Sequence, residues 1–251
     1  MEKVNVIKVG GAIVEDPSSL GSFLEMFAAV PGKKVLVHGG GRTATAVAGE
    51  LGIESRMVQG RRITDEAMLR VVTMVYGGLV NKNVVARLQS LGIDAAGFTG
   101  ADLDLVRSSR RPAGEVDYGF VGDVEAVRGE MLAKLLDLGV VPVLAPLTHD
   151  GQGHLLNTNA DTIVSAAAAA LSAFYDVTLT FCFEKPGVLA PDGTVIEELT
   201  EESFREYVSD GTVSGGMVPK IENALGAIRA GVSRVVVTSA SDLCGGTLIT
   251  A

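Results

Sequence analysis

The sequence contains no tryptophan, and 4 tyrosines with 8 phenylalanines bring its aromatic content to only 5% of 251 residues. It has 2 cysteines and 3 histidines. Cys182 and Cys244 stand far apart with no CxxC, which indicates neither a zinc site nor a disulfide framework and suggests buried thiols. No Ser-His-Asp arrangement, HExxH motif or cluster of metal-ligating residues is present, so nucleophilic hydrolysis and zinc chemistry find little support and no protein metal ligand is expected. Basic residues are the minority, 21 Lys plus Arg against 30 Asp plus Glu, for a formal charge of −9. That balance argues against a nucleic-acid partner, which needs a basic face, but leaves room for one nucleotide held by backbone N–H groups and a few lysines. Long apolar runs are missing too. The longest, Ile163 to Phe174, is alanine-rich, carries serines and falls short of the roughly 20 residues that span a bilayer. No basic, apolar and cleavable segment opens the chain, and a soluble cytoplasmic protein without membrane contact is expected.

Glycine is abundant, with 31 residues, and no G-X-Y period accompanies it. It marks places where backbone turns sharply or approaches something closely. A hydrophobic fraction of 47% can fill a large core. Short β-branched runs (Val4–Val9, Lys34–Val37, Ile93–Phe98, Val140–Leu144, Asp176–Phe183, Ser233–Thr238) alternate with amphipathic stretches. The latter are Leu20–Ala29, Thr43–Leu51, Asp65–Ser90, Glu130–Leu138, Ala160–Ala173, Thr200–Ser209 and Pro219–Ala230. Alternation of this kind predicts βαβ units: an α/β fold with a mainly parallel sheet covered on both faces. Leu103–Val127 and Thr148–Asn157 break the pattern and predict hairpins. No linker or repeat is evident, and a soft lobe boundary falls near Phe174 to Asp176.

Five segments carry the chemistry. Lys8-Val9-Gly10-Gly11 ends the first strand and sets an ammonium beside exposed N–H groups, a combination that holds phosphate oxygens or merely makes an ordinary turn. His38-Gly39-Gly40-Gly41 joins a strand to a helix and offers either an anion-binding N-terminus or tight packing, with His38 more suited to packing than to acting as a base. In Gly60-Arg61-Arg62-Ile63-Thr64-Asp65, Thr64 or Asp65 can cap the following helix, and an arginine can clamp a carboxylate or stay solvated. Asn157-Thr158-Asn159-Ala160-Asp161-Thr162 contains more polar side chains than capping requires, and Asn157 offers both donor and acceptor. Gly215-Gly216-Met217-Val218-Pro219-Lys220 opens a helix with a lysine in the first turn, a place disfavoured by the dipole unless an anion sits there. Two lysines, two glycine-rich junctions, an acidic organiser and a carboxylate clamp fit phosphoryl transfer, which rests on positioning and charge neutralisation.

In order and spacing, Lys8-Val9-Gly10-Gly11, Val37-His38-Gly39-Gly40-Gly41, Gly60-Arg61-Arg62-Ile63-Thr64, Asn157-Thr158-Asn159-Ala160-Asp161 and Gly215-Gly216-Met217-Val218-Pro219-Lys220 resemble the amino acid kinase family, and within it the N-acetylglutamate kinases. The resemblance runs to Gly246-Thr247-Leu248-Ile249, over almost the whole chain. It implies an open three-layer αβα sandwich with an N-terminal amino acid lobe (1–175), which also dimerises, and a C-terminal nucleotide lobe (176–251). It implies transfer of the γ-phosphoryl group of ATP, with Mg²⁺, to the γ-carboxylate of an N-acyl-L-glutamate, in arginine biosynthesis. By resemblance Lys8 and Lys220 neutralise the transferred group, Asp161 holds both lysines, and Gly11, Gly40 and Gly41 bind phosphoryl or substrate oxygens. Arg62 grips the α-carboxylate and Asn157 binds near the acylamino group. Gly10, Glu184, Lys185, Pro186, Gly187, Val188, Leu189, Ser214 and Gly216 lie along the nucleotide.

The chain departs from the family pattern at Phe183-Glu184, where Ser or Thr followed by Asp is usual. It begins its first strand at Val4 and so resembles the shorter, arginine-insensitive homodimers rather than relatives with an additional N-terminal helix. The acyl group is acetyl by family default, and Arg61 offers a place for the second carboxylate of a succinyl group. Glutamate 5-kinase-like, uridylate kinase-like and non-catalytic regulatory readings of the same fold are the alternatives.

Overall fold

β-Branched runs become strands here because both faces of the sheet are buried, and the helices between them supply that cover. The computed structural model describes residues 1–215 and 217–250. Its strands are β1 (Lys3–Val9), β2 (Lys33–His38), β3 (Met57–Val58), β4 (Arg61–Arg62), β5 (Ala95–Phe98), β6 (Val106–Arg110) and β7 (Gly122–Val127). They continue with β8 (Val141–Leu144), β9 (Leu147–His149), β10 (Leu155–Asn157), β11 (Asp176–Phe183), β12 (Glu198–Leu199), β13 (Arg234–Ser239) and β14 (Thr247–Ile249). The α-helices are α1 (Gly11–Glu15), α2 (Pro17–Ala29), α3 (Gly41–Glu50), α4 (Glu66–Val72), α5 (Asn81–Ser90), α6 (Gly129–Asp137), α7 (Ala160–Leu171), α8 (Glu201–Ser209) and α9 (Met217–Arg229).

One sheet of order β12-β14-β13-β11-β1-β2-β8-β5 forms the middle layer. From β13 to β5 every neighbouring pair is parallel, and β14 turns antiparallel to β13 at the edge. The parallel sheet matches the expected fold class. It is continuous across residue 175, because β11 pairs with β1 on one side and β13 on the other. Strand β1 therefore lies between its successor β2 and the much later β11. In an open α/β sheet the crevice beyond the carboxyl ends of such strands is where ligands bind.

Period-two alternation sorts the core into two layers. Val4, Val6, Val35, Val37, Leu179 and Phe181 point toward α6, α7 and α9, while Ile7, Val9, Leu36 and Cys182 point toward α2, α3, α4 and α5. The same alternation sends Lys8 to the first face and His38 to the second.

The expected helix Asp65–Ser90 is present but not uniform: Thr73–Val80, between α4 and α5, is π-helical. Wider turns of this kind are rare and concentrate at functional sites. The two expected hairpins are also present, β6–β7 and β9–β10, and they join into one four-stranded sheet of order β10-β9-β6-β7. Loop 118–121 ties this sheet to the site: Thr64 N–H donates to Tyr118 O at 2.9 Å, and Asn157 N–H donates to Phe120 O at 2.9 Å. The short helix α1 and the short strands β12 and β14 had no sequence signal long enough to find. Among the described residues, no helix is long and apolar enough to cross a membrane.

Candidate active site

Lys8 occupies the next-to-last position of β1, and the alternation that buries Val4 and Val6 aims it at the start of α7. Asn159 caps that helix, its Oδ1 accepting from the Asp161 N–H at 2.7 Å. Asp161 thus sits in the first turn, where a carboxylate suits the helix dipole. Lys8 Nζ lies 2.8 Å from Asp161 Oδ1. The approach is off the line of an ideal hydrogen bond, so the contact is an ion pair, and Oδ1 has no other partner among the described residues.

The glycine turns after β1 and β2 touch each other. A β-carbon on Gly39 would lie 2.8 Å from Gly11 N, and one on Gly11 would lie 3.4 Å from Gly40 N. Side chains at Gly39 would force the two turns apart. Glu15 braces the arrangement by accepting from Thr43 N–H, in the first turn of α3, at 2.7 Å.

Two cavities open at this point. One, of about 220 Å³, is lined by Gly40, Gly41, Arg61, Arg62, Tyr76 and Asn157 among others. A larger one, of about 590 Å³, is lined by Gly10, Gly11, Glu184, Lys185, Ser214 and Lys220 among others. Their shared lining residues are Lys8, Gly41 and Asp161.

Arg62 is buried, and its guanidinium donates to Ser55 Oγ, to Gly41 O at 2.7 Å and to Thr45 Oγ1 at 2.9 Å. Three of its five N–H groups are thereby occupied, which fixes the plane of the group and leaves two. Asn157 Nδ2 donates to Thr64 Oγ1 at 2.9 Å. Asp65, rather than Thr64, caps α4 by accepting from Met68 N–H at 2.8 Å. Arg61 lines the smaller cavity without an ion-pair or hydrogen-bond partner among the described residues.

Lys220 enters the larger cavity from the first turn of α9, as its sequence position implied. It has no carboxylate within 4.0 Å among the described residues, so Asp161 pairs with Lys8 alone and acts on Lys220 only at longer range. Partial burial pushes the Lys220 ammonium below its usual pKa, and repulsion from Lys8 adds to this, against attraction from Asp161 and Glu184. The Lys220 Nζ lies 3.7 Å from the centroid of the Phe183 ring.

Of the expected nucleotide-facing run, Glu184 and Lys185 line the larger cavity. Pro186, Gly187, Val188 and Leu189 line neither cavity. Gly187 and Val188 are buried against the sheet edge: Val188 N–H donates to Thr247 Oγ1 at 2.8 Å, and a β-carbon on Gly187 would lie 2.7 Å from Val195 Cγ1. Leu189 bridges to Val195. Glu184 faces Arg42 at 3.6 Å, an exposed pair of little energetic weight. Gly216 lies outside the described residues.

His38 is fully buried and belongs to a chain of hydrogen bonds beneath the glycine turn. Lys82 Nζ donates to Gly97 O at 3.0 Å and to Asn81 Oδ1 at 3.1 Å. Asn81 Nδ2 then faces Val143 O at 3.0 Å and His38 Nε2 at 3.1 Å. Carbonyl oxygens only accept, so Asn81 donates to Nε2 and the ring proton resides on Nδ1, which donates to Gly39 O at 2.7 Å. Burial pushes the His38 pKa down to about 4, so the ring is neutral and is not a base poised near pH 7. The π-helical turns set this up by presenting Tyr76 to Gly40 and Asn81 to His38. Tyr76 and Asn81 escaped the motif reading. Tyr76 sits in an apolar run and reads as core, whereas Asn81 opens the polar run Asn81-Lys82-Asn83 and reads as helix surface.

An open parallel α/β sheet, with Lys8 and paired glycine turns where two cavities meet at its switch point and Lys220 in the larger cavity, has the parts a kinase of small molecules requires. The comparisons agree with that class. A family model matches residues 3–239, and the chain belongs to the amino acid kinase family. It is 62% identical over 243 residues to the acetylglutamate kinase of Bacteroides thetaiotaomicron, covering 96% of this chain and 95% of that one. Identity to the acetylglutamate kinase of Parabacteroides distasonis is 61% over 246 residues, covering 97% and 96%. Among solved structures, smu.665 from Streptococcus mutans UA159 matches with a TM-score of 0.83 at 29% identity, over 99% of this chain and 98% of that one.

Proposed function

We propose that this chain is an ATP-dependent kinase that phosphorylates the γ-carboxylate of N-acetyl-L-glutamate, a step of arginine biosynthesis. The observation that carries the reading is the meeting of two cavities at Lys8, Gly41 and Asp161, which gives an acceptor and a nucleotide one common point of contact. The relatives named acetylglutamate kinase support the acceptor.

The acceptor takes the smaller cavity, where the free N–H groups of Arg62 hold its α-carboxylate and Asn157 meets the acylamino group. A γ-carboxylate is ionised at pH 7 and needs no general base. It attacks the γ-phosphorus of ATP, forming the O–P bond of the acyl phosphate as the bond to the β-phosphate oxygen breaks and ADP leaves; the nucleotide enters through the larger cavity along Gly10, Glu184, Lys185 and Ser214, with Mg²⁺ arriving as part of it. Lys8 and Lys220 neutralise the charge spread over the transferred oxygens, and the N–H groups of Gly11, Gly40 and Gly41 donate to them. Asp161 orients Lys8. Every residue lining the smaller cavity precedes residue 175, which supports an amino acid lobe at 1–175 and a nucleotide lobe at 176–251.

The unpartnered Arg61 favours a second reading of the acyl group, in which N-succinyl-L-glutamate sets its additional carboxylate against that guanidinium. A hydroxamate assay, which traps the acyl phosphate, tests both. We expect ATP-dependent product with N-acetyl-L-glutamate, and comparing kcat/KM with N-succinyl- and free L-glutamate ranks the acyl groups. A clear preference for free glutamate, or no trapped product, overturns the reading.

The enzyme works in the cytoplasm as a homodimer. Both cysteines are free thiols, as suits a reducing compartment; Cys182 is buried as expected, whereas Cys244 is exposed. Met74 and Leu79, about half exposed on the π-helical turns, offer apolar surface for a second copy. Sedimentation at twice the 26.0 kDa chain mass is expected, and a monomer over the assay range refutes the dimer.

A further inference from the structure

Phe183 stands where the family pattern has a hydroxyl, and the structure gives its ring a definite place. As the last residue of β11 it falls on the same sheet face as Phe181 and Lys8. Its ring stacks on Phe181 with centroids 6.0 Å apart and an interplanar angle of 5°. Two cations lie over the ring: Lys220 Nζ at 3.7 Å from the centroid and Lys8 Nζ at 5.1 Å. Phe183 itself is 8% exposed, so these contacts are made in a largely dry environment.

The two lysines differ in their other support. Lys8 has the Asp161 carboxylate at 2.8 Å, whereas Lys220 has no carboxylate within 4.0 Å among the described residues. Two like charges nevertheless converge on one place. An aromatic face carries negative quadrupole potential and attracts an ammonium without taking a hydrogen bond from it. A lysine held this way keeps its three N–H donors for an anion.

We propose that Phe183 is a positioning residue that holds Lys220 by a cation–π contact, and Lys8 more weakly, so that the Lys220 ammonium faces the larger cavity that Lys8 also lines. This rests on the kinase reading given above. In the free protein the ring partly balances the repulsion between the two lysines. When a polyphosphate arrives, the donors of Lys220 are unoccupied and need not be pulled from a protein carboxylate.

The test replaces Phe183 with phenylalanines carrying one, two and three ring fluorines, which drain the ring-face potential while nearly preserving shape and apolarity. We expect kcat to fall stepwise, by roughly 2- to 30-fold in all, the range spanned by one cation–π contact. The KM for the acyl-glutamate should stay within twofold. Phe183→Leu, which removes the ring, should fall at least as far as the trifluoro variant. A flat kcat across the fluorinated series, with unchanged melting temperatures, would overturn the proposal and leave Phe183 as packing.

A second measurement does not need turnover. In the unmodified chain labelled with ¹³C at lysine Cε, the Lys220 methylene protons should resonate upfield through the ring current. The signal, assigned by its loss in Lys220→Arg, should move back toward the free-lysine position in Phe183→Leu. An unshifted Lys220 signal in the native chain overturns the contact itself. Failure of the native enzyme to form hydroxamate overturns the assigned reaction instead, while the ring-current result still decides whether the contact exists.

Discussion

Gly97→Ala probes the buried network under the glycine turn without touching any residue of the proposed reaction. Gly97 lies in β5, and a β-carbon there would fall onto the Asn81 carboxamide, 2.9 Å from its Cγ, and 2.8 Å from Lys82 Nζ. The exposed Lys82 ammonium can swing aside. Asn81 is 1% exposed and can move only by giving up its bonds to Val143 O and His38 Nε2. Overpacking of this kind costs about 1–3 kcal/mol. The buried polar atoms of His38 and Asn81 left short of partners add roughly 1–3 kcal/mol more. The sum, roughly 2–6 kcal/mol, is a large part of the ~5–15 kcal/mol that holds a typical domain together. At about 2–4 °C per kcal/mol for a chain of this size, the melting temperature should drop by about 5–20 °C. Calorimetry and urea unfolding read this directly. A drop of less than ~3 °C would show that the strand relaxes and that the network does not fix Asn81. The mechanism has its own check in Asn81→Ala, where the obstructing carboxamide is absent and Gly97→Ala should cost under about 1 kcal/mol. Additive losses in the double variant would mean that the clash is not with Asn81.

Other expectations follow from the same geometry. Lys8→Ala and Lys220→Ala should each lower kcat about 100-fold or more with the fold retained, and near-normal turnover in both purified variants would remove the lysines from the phosphoryl path. Arg62→Ala should chiefly raise the KM for the acylated amino acid, with a loss of stability because Ser55, Thr45 and the Gly41 carbonyl lose their shared donor. An unchanged KM excludes Arg62 from the carboxylate role. His38 contributes a pH dependence whose sign is fixed: its folded pKa of about 4 lies below the ordinary 6.5. Between these values the unfolded chain binds more protons, so stability is full above about pH 6.5 and is lost as pH falls through 4, by roughly 3 kcal/mol in total. Urea unfolding at pH 7.5 and 5 should show a smaller pH-linked loss for His38→Asn than for the native chain, and equal losses would exclude His38 as the source.

The parallel sheet and the position of the site were legible because the signals are local. Lys8 ends an alternating run, and Gly10, Gly11 and Gly39 to Gly41 punctuate it at once. Asp161 follows its own cap within three residues. What could not be read depended on distant partners. Gly187 to Leu189 looked like a ligand-facing turn from their neighbours in the chain, but Thr247 draws Gly187 and Val188 inward, and Val195 pairs with Leu189 across a short turn. Helical periodicity indicated one helix over 65–90 and could not reveal the π-helical turns within it, because a locally wider helix leaves nearly the same apolar pattern. The pairing of Asp161 with both lysines was a matter of ångströms, and only Lys8 comes within ion-pair distance.

Among the described residues, the ribbon formed by β3 and β4 stands as a sheet of its own, hydrogen-bonded to no strand of the main sheet, yet it brings Arg61 and Arg62 to the smaller cavity. The lysine junction, by contrast, is rooted in β1 and in the helices that bury the sheet. In the proposed reaction, recognition of the acceptor and handling of the phosphoryl group therefore rest on separable parts. Changes in the ribbon, at Met57 or Arg61 for instance, can retune which carboxylate the enzyme accepts while the reaction centre stays untouched. That separation makes the ribbon the natural place to redirect the enzyme toward a different acceptor.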